Sequence, residues 1–139
     1  MRIIFVTSLL LLSSMGFGNS FTLSNTLPVD LSDASNVFTK YVEVFGLRVL
    51  ATSTVSDEKV LHTANVLAEY LDNDENGTVD QPEVLSKLLG SSNSEIATMV
   101  LFASENEQES YDDDFENLMR VLERTQNLFA DEIFENGSQ

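Results

Sequence analysis

The sequence predicts an α+β fold, mainly helical, with one helix-loop-helix unit and about two short strands. Three observations carry that prediction. Apolar residues recur every three and four positions from Val60 to Leu71 and again from Val84 to Leu89, which is the spacing of a helical face. A short acidic turn with a glycine in it joins those two runs. Two brief, nearly uninterrupted apolar stretches, 47–51 and 96–103, have the length and composition of strands. With 139 residues, 42% of them hydrophobic, there is enough apolar material for a core, and one domain is expected because single cores organise about 100 to 200 residues.

The chain starts with Arg2, an apolar run over residues 3–12, and small residues over 13–20. This is the layout of a secretory signal peptide. The apolar run is half the roughly 20 residues that cross a bilayer as a helix, and no second run of that length follows. The expected organisation is therefore a leader at 1–20, cleaved after Gly18 or Ser20, and a secreted domain at 21–139 that makes no membrane contact after cleavage. Loss of the leader removes one basic residue and no acid, so the net charge moves from -16 to -17, with 6 basic residues against 23 acidic ones. Such a surface repels phosphate backbones and anionic lipid, excluding nucleic acid as a partner and leaving cations as the natural counterpart. There is no cysteine, so stability must come from the core, a partner or a metal rather than from the disulfides common in small secreted domains.

After the leader, residues 21–31 read as an extended stretch in which Pro28 restricts Leu27. Ser32 or Asp33 then caps a predicted helix through Phe45, with Val37, Phe38, Tyr41, Val42 and Phe45 at helical spacing. Gly46 interrupts, and residues 47–51 are the first strand. Ser56 followed by Asp57 and Glu58 marks a helix start, since the hydroxyl accepts from free backbone amides and the acids suit the positive end of the dipole. Val60, Leu61, Ala64, Leu67, Ala68 and Leu71 form its apolar stripe. Pro82 opens the next helix, Val84, Leu85, Leu88 and Leu89 line one side, and Gly90 stops it. A polar connector at 91–94 leads to the second strand at 96–103, for which a helix is the alternative. Residues 105–114 are strongly acidic and expected to be solvated. A last helix is predicted with Phe115, Leu118, Met119, Leu122, Phe129 and Ile133 on one face, before a frayed tail at 136–139.

The chemistry is concentrated in residues 72–83, Asp-Asn-Asp-Glu-Asn-Gly-Thr-Val-Asp-Gln-Pro-Glu. Calcium is a hard cation that takes six to eight oxygens at about 2.3 to 2.6 Å, so short carboxylate and amide side chains at alternate positions must converge on one point. Asp72, Asp74 and Asn76 supply them. Gly77 permits the sharp turn that lets the Thr78 carbonyl face inward, Asp80 acts directly or through a water, and Glu83 reaches back from the exiting helix with both oxygens. Acid or amide at loop positions one, three and five, glycine at six and glutamate at twelve is the loop pattern of the EF-hand. On this loop and its two flanking helices, about residues 58–89, the chain resembles EF-hand calcium-binding proteins. The resemblance implies one bound Ca2+ with Asp72, Asp74, Asn76, Thr78, Asp80 and Glu83 as ligands, and Val79 pinning the loop to the core. EF-hands usually come in pairs, and no second loop is present here. The hand must then be braced by its domain, pair across a homodimer, or work alone with weak affinity; the neighbouring strands favour the first. The run YLDNDENG with the upstream HTANVLA is also similar to uncharacterised secreted proteins that carry this loop inside a larger α/β domain and commonly continue further, so a short or truncated member is expected, with no activity carried over.

Other constellations fail on their own chemistry. His62 is the single histidine, and a transition-metal or hydrolytic zinc site needs more imidazoles or a thiolate. No serine-nucleophile elbow occurs, and the acids of 112–116 read as a solvated helix start. Two glycosylation sequons begin at Asn76 and Asn136; a glycan on the first would remove a metal ligand, so Asn76 is expected to be unmodified. The leading expectation is a secreted, non-enzymatic, acidic protein holding one calcium ion in a structural or low-affinity site. The competing ones are the calcium-stabilised N-terminal part of a larger secreted enzyme or adhesion protein, and an acidic protein associated with matrix or mineral. No protein partner is indicated.

Overall fold

A computed structural model of the chain describes residues 20–111, 114, 117, 118 and 122–133. Their architecture is organised by a four-stranded mixed sheet rather than by helices. The strands are β1 (Lys40–Val44), β2 (Leu47–Ala51), β3 (Thr98–Phe102) and β4 (Thr125–Phe129), side by side in that order. β1 and β2 are antiparallel; β2, β3 and β4 run parallel. The fold is α+β as expected, but the mainly helical balance with two strands is overturned by this sheet.

The first missed strand is β1, where the sequence suggested a helix through Phe45. Residues 29–34 form a 3-10 helix instead, and the chain then straightens into Lys-Tyr-Val-Glu-Val. The helical spacing of Tyr41, Val42 and Phe45 competes there with a period-2 reading rich in β-branched residues, and the turn decides it. Phe45 (φ 51) and Gly46 (φ 88) both lie in the left-handed region, with Val44 opposite Leu47. Two left-handed residues make the tight hairpin turn whose twist matches its strands.

The second missed strand is β4, inside the predicted last helix. Leu118 and Leu122 are buried, but Phe129 belongs to β4 and Ile133 follows it. Residues 125–129 align beside β3, with Thr98 opposite Thr125 and Phe102 opposite Phe129. Sheet pairing outweighs the helical spacing, which is a weak local preference. Phe115 and Met119 lie outside the described residues, as do the leader through Asn19, the acids at 112, 113 and 116, and the tail with Asn136.

Helices cover both faces of the sheet. On one, α1 (Asp57–Leu71) lays Val60, Ala64 and Ala68 against Val42, Val44, Val49, Ala51 and Leu101. On the other, Leu31, Ala34, Val37, Phe38, Leu118 and Leu122 pack on Leu50, Val100 and Phe102, with the Phe38 and Phe102 rings tilted at 5.5 Å. All five residues of β2 are buried. A strand covered on both faces reads as a continuous apolar run, which is why β2 and β3 were visible in the sequence. Arg48 is the exception inside β2, and it pairs with Asp30 at 2.5 Å and donates to the Asn93 carbonyl at 3.0 Å. Among the described residues no helix is long and apolar enough to cross a membrane.

The connection from β2 to β3 carries α1, the loop at 72–81 and α2 (Pro82–Leu89). The loop is thus part of a crossover between adjacent parallel strands.

Candidate metal centre

Ser56 caps α1 by accepting from the Lys59 amide at 3.4 Å, and Leu71 closes it as a buried residue. The helical bonding continues one residue further, from the Asp72 amide to the Ala68 carbonyl at 2.8 Å. This hands Asp72 to the loop with its side chain turned inward, only 1% exposed. A buried carboxylate is costly without donors. The loop supplies them: Asp72 Oδ1 accepts from the Asn76 amide at 3.1 Å and Oδ2 from the Gly77 amide at 2.7 Å.

Those two amides can turn inward because the chain bends sharply between them and Asp72. Glu75 (φ 55) and Gly77 (φ 84) are both left-handed. At Gly77 a β-carbon would meet nothing within 4 Å, so the glycine is needed for its backbone angle rather than for space. Asp74 accepts from the Asn76 amide at 3.3 Å and from its Nδ2 at 2.8 Å. The Asp80 amide donates to the Leu71 carbonyl at 2.8 Å, folding the loop back onto the end of α1, while Asp80 Oδ2 accepts from the Asn73 amide at 2.8 Å.

Asp72, Asp74 and Asp80 consequently each offer an oxygen within 4.8 Å of the others. Three like charges at that separation repel, and backbone amides offset part of the repulsion. A cation between them would offset the rest. Every donor is a hard oxygen, which suits a hard divalent cation rather than a thiolate- or imidazole-seeking metal. Among the described residues this is the only such grouping of three.

The other three expected ligands stand differently. Asn76 is beside the cluster, with its Oδ1 accepting from the Thr78 amide at 2.8 Å. Thr78 is exposed at the tip of the loop. Glu83 is exposed in the first turn of α2 and is not among the converging carboxylates. Its position depends on α2, which has no buried residue and no side-chain cap. His62 is half-buried on α1 and takes no part in the cluster.

No family model, curated protein or solved structure matches the chain. The loop's own geometry therefore carries the functional argument.

A second carboxylate with a defined place was missed in the sequence. Glu107, in the acidic stretch expected to be solvated, sits in α3 (Glu105–Glu109) and accepts from the Ala103 amide at 2.5 Å, Thr54 at 2.5 Å and Thr52 at 3.2 Å. It ties α3 to the ends of β2 and β3. Ser104 followed three residues later by glutamate is a capping-box spacing that could have marked it. At the opposite ends of the strands lies an open groove of about 340 Å³ lined by Leu47, Leu67, Leu88, Met99, Arg124 and Gln126 among others. Its walls are mostly apolar.

Proposed function

We propose that this protein binds one calcium ion in the loop at residues 72–83 through a single EF-hand, in a structural or low-affinity site, and that it does so as a secreted, non-enzymatic acidic protein. The observation that carries the reading is the meeting of Asp72, Asp74 and Asp80 within 4.8 Å, with Asp72 buried and oriented by two loop amides. Three carboxylates form one side of the shell. Asn76 and the Thr78 carbonyl complete the loop's share, and Glu83 supplies the last two oxygens by closing from α2.

The loop lies within a crossover braced by α1 and the sheet, which supports a stabilising role for the ion. Binding that exists only in the folded state adds stability by mass action. Extracellular calcium modules work at about 10⁻⁴ to 10⁻³ M, a range that suits a lone hand and a leader-bearing chain. Calorimetric titration of the full chain with calcium is the test. One site is expected, with Glu83→Gln weakening it at least about tenfold, the usual scale of a lost ligand contact near a metal. Many weak sites unchanged by Glu83→Gln would instead favour diffuse cation binding by an acidic matrix protein.

A further inference from the structure

The groove of about 340 Å³ shares no residue with the acidic loop at 72–83, so what it holds is independent of the calcium reading. It lies where the parallel strands begin. Leu47 opens β2 and is buried, Met99 comes from β3, and Leu67 and Leu88 come from α1 and α2. Leu67, Leu88 and Met99 are each only partly buried. Half-covered apolar side chains around a concavity are the usual wall of a small-molecule site, and the volume falls at the lower end of the range for such sites, about 300 to 1,000 Å³.

Arg124 is the charged residue in this lining. Its Nη1 is tethered, donating to the Lys87 carbonyl at 2.6 Å and to the Glu95 carbonyl at 3.3 Å. Nε and Nη2 form another edge of the guanidinium, of the kind that takes a carboxylate through two parallel bonds. That edge has no protein acceptor among the described residues. Two adjoining acids are turned to other donors. Glu95 accepts from the Ser91 amide and hydroxyl, and Glu123 accepts from the Ser94 hydroxyl while its amide donates to the Ser94 carbonyl. Arg124 therefore forms no ion pair among the described residues.

A guanidinium fixed by one nitrogen and open along another edge, beside an apolar trough, matches a ligand with a carboxylate at one end and a hydrocarbon chain at the other. Size limits the chain: about 340 Å³ holds about eleven groups of the size of a water molecule, at about 30 Å³ each, and a methylene is of similar size. We propose that the groove is a binding site for a medium-chain alkyl carboxylate of about eight to ten carbons. Its head lies on the open edge of Arg124 and its chain against Leu47, Leu67, Leu88 and Met99. The net charge of -16 draws cations at long range, but charges more than about 8 Å away are largely screened at physiological salt. A preference for the anion is thus a stringent sign of local recognition by Arg124.

The test titrates the full chain, in calcium-containing buffer at physiological salt, with octanoate, hexanoate and octyltrimethylammonium, following the methyl NMR signals of Leu67, Leu88 and Met99. Octanoate is expected to shift these signals and to bind about four- to fifteenfold tighter than hexanoate, since each added methylene contributes about twofold when half-buried and about fourfold when fully buried. The cation of equal chain length should bind about fivefold more weakly, the worth of one favourable exposed ion pair. Arg124→Gln keeps a donor for the Lys87 carbonyl and should erase the preference for the anion while leaving the dependence on chain length. Ala97→Leu fills the groove without altering charge and should weaken octanoate at least about tenfold, with the rest of its NMR spectrum reporting that the fold is kept. Octyltrimethylammonium binding as tightly as octanoate, equal affinity for the two carboxylates, signal shifts confined to other parts of the chain, or an anion preference that survives Arg124→Gln would overturn the proposal.

Discussion

The two helices that flank the acidic loop are built on opposite principles. α1 is 15 residues long, capped by Ser56, and buries Val60, Thr63, Ala64, Ala68 and Leu71. α2 has 8 residues, no side-chain cap and no buried residue. It is fastened at its far end, where the Leu88 carbonyl accepts from the Ala97 amide at 2.8 Å and the Lys87 carbonyl from Arg124 at 2.6 Å. One side of the loop is therefore set by the core, while the other, which bears Glu83, rests on partly buried leucines and a few polar contacts. This difference accompanies the inward turn of Asp72 and the exposure of Glu83.

The largest effect expected from breaking this contrast is on α1. Leu71→Ala removes a side chain that is 6% exposed and should cost about 2 to 5 kcal/mol by urea unfolding. The equivalent change on α2, Leu88→Ala, should cost below about 1 kcal/mol. Equal costs would show that the two helices share the core equally.

A smaller effect should follow at the fastening of α2. Gly90 (φ 67) turns the chain out of the helix, and a β-carbon there would meet Glu95 Cβ at 2.4 Å. Gly90→Ala should cost about 1 to 3 kcal/mol. Glu95 closes that turn by accepting from the Ser91 amide and hydroxyl, each at 2.7 Å. The Ser91 amide bond, then the hydroxyl bond and the Arg124 charge, hold its carboxyl below the usual value.

The smallest effect lies away from both helices and serves as a control. Burial, then the hydrogen bond to Glu43, raises the Tyr41 hydroxyl from 10.0 to about 12. A raised pKa means the unfolded chain releases this proton first. The Tyr41 contribution should be complete below pH 10.0 and lost as pH climbs through about 12. Tyr41→Phe should flatten that alkaline decline in pH-dependent melting without altering calcium binding.

Much of the loop was legible because its chemistry is local. Asp72, Asp74 and Asp80 are spaced for convergence, and Gly77 stands where a left-handed residue is required. The left-handed Glu75 was not legible, since no glycine marks it. Glu83 was readable as a residue but not as a position, because α2's placement depends on distant groups such as Arg124 and Ala97. β2 and β3 were legible from the apolar runs that double coverage produces. β1 and β4 were not. The first rests on a turn containing Phe45, a poor residue for that conformation, and the second on pairing with β3, which a local periodicity does not record.

The most direct test of the account is thermal melting of the full chain in millimolar calcium and in chelator, for the natural sequence and for Asp72→Asn. The natural chain is expected to melt higher in calcium, by the equivalent of about 0.4 to 1.4 kcal/mol when the ion is at about one to ten times its dissociation constant. Asp72→Asn should lose most of that difference. Identical melting of the natural chain in calcium and in chelator, or a calcium effect undiminished by Asp72→Asn, would contradict the assignment of the ion to this loop.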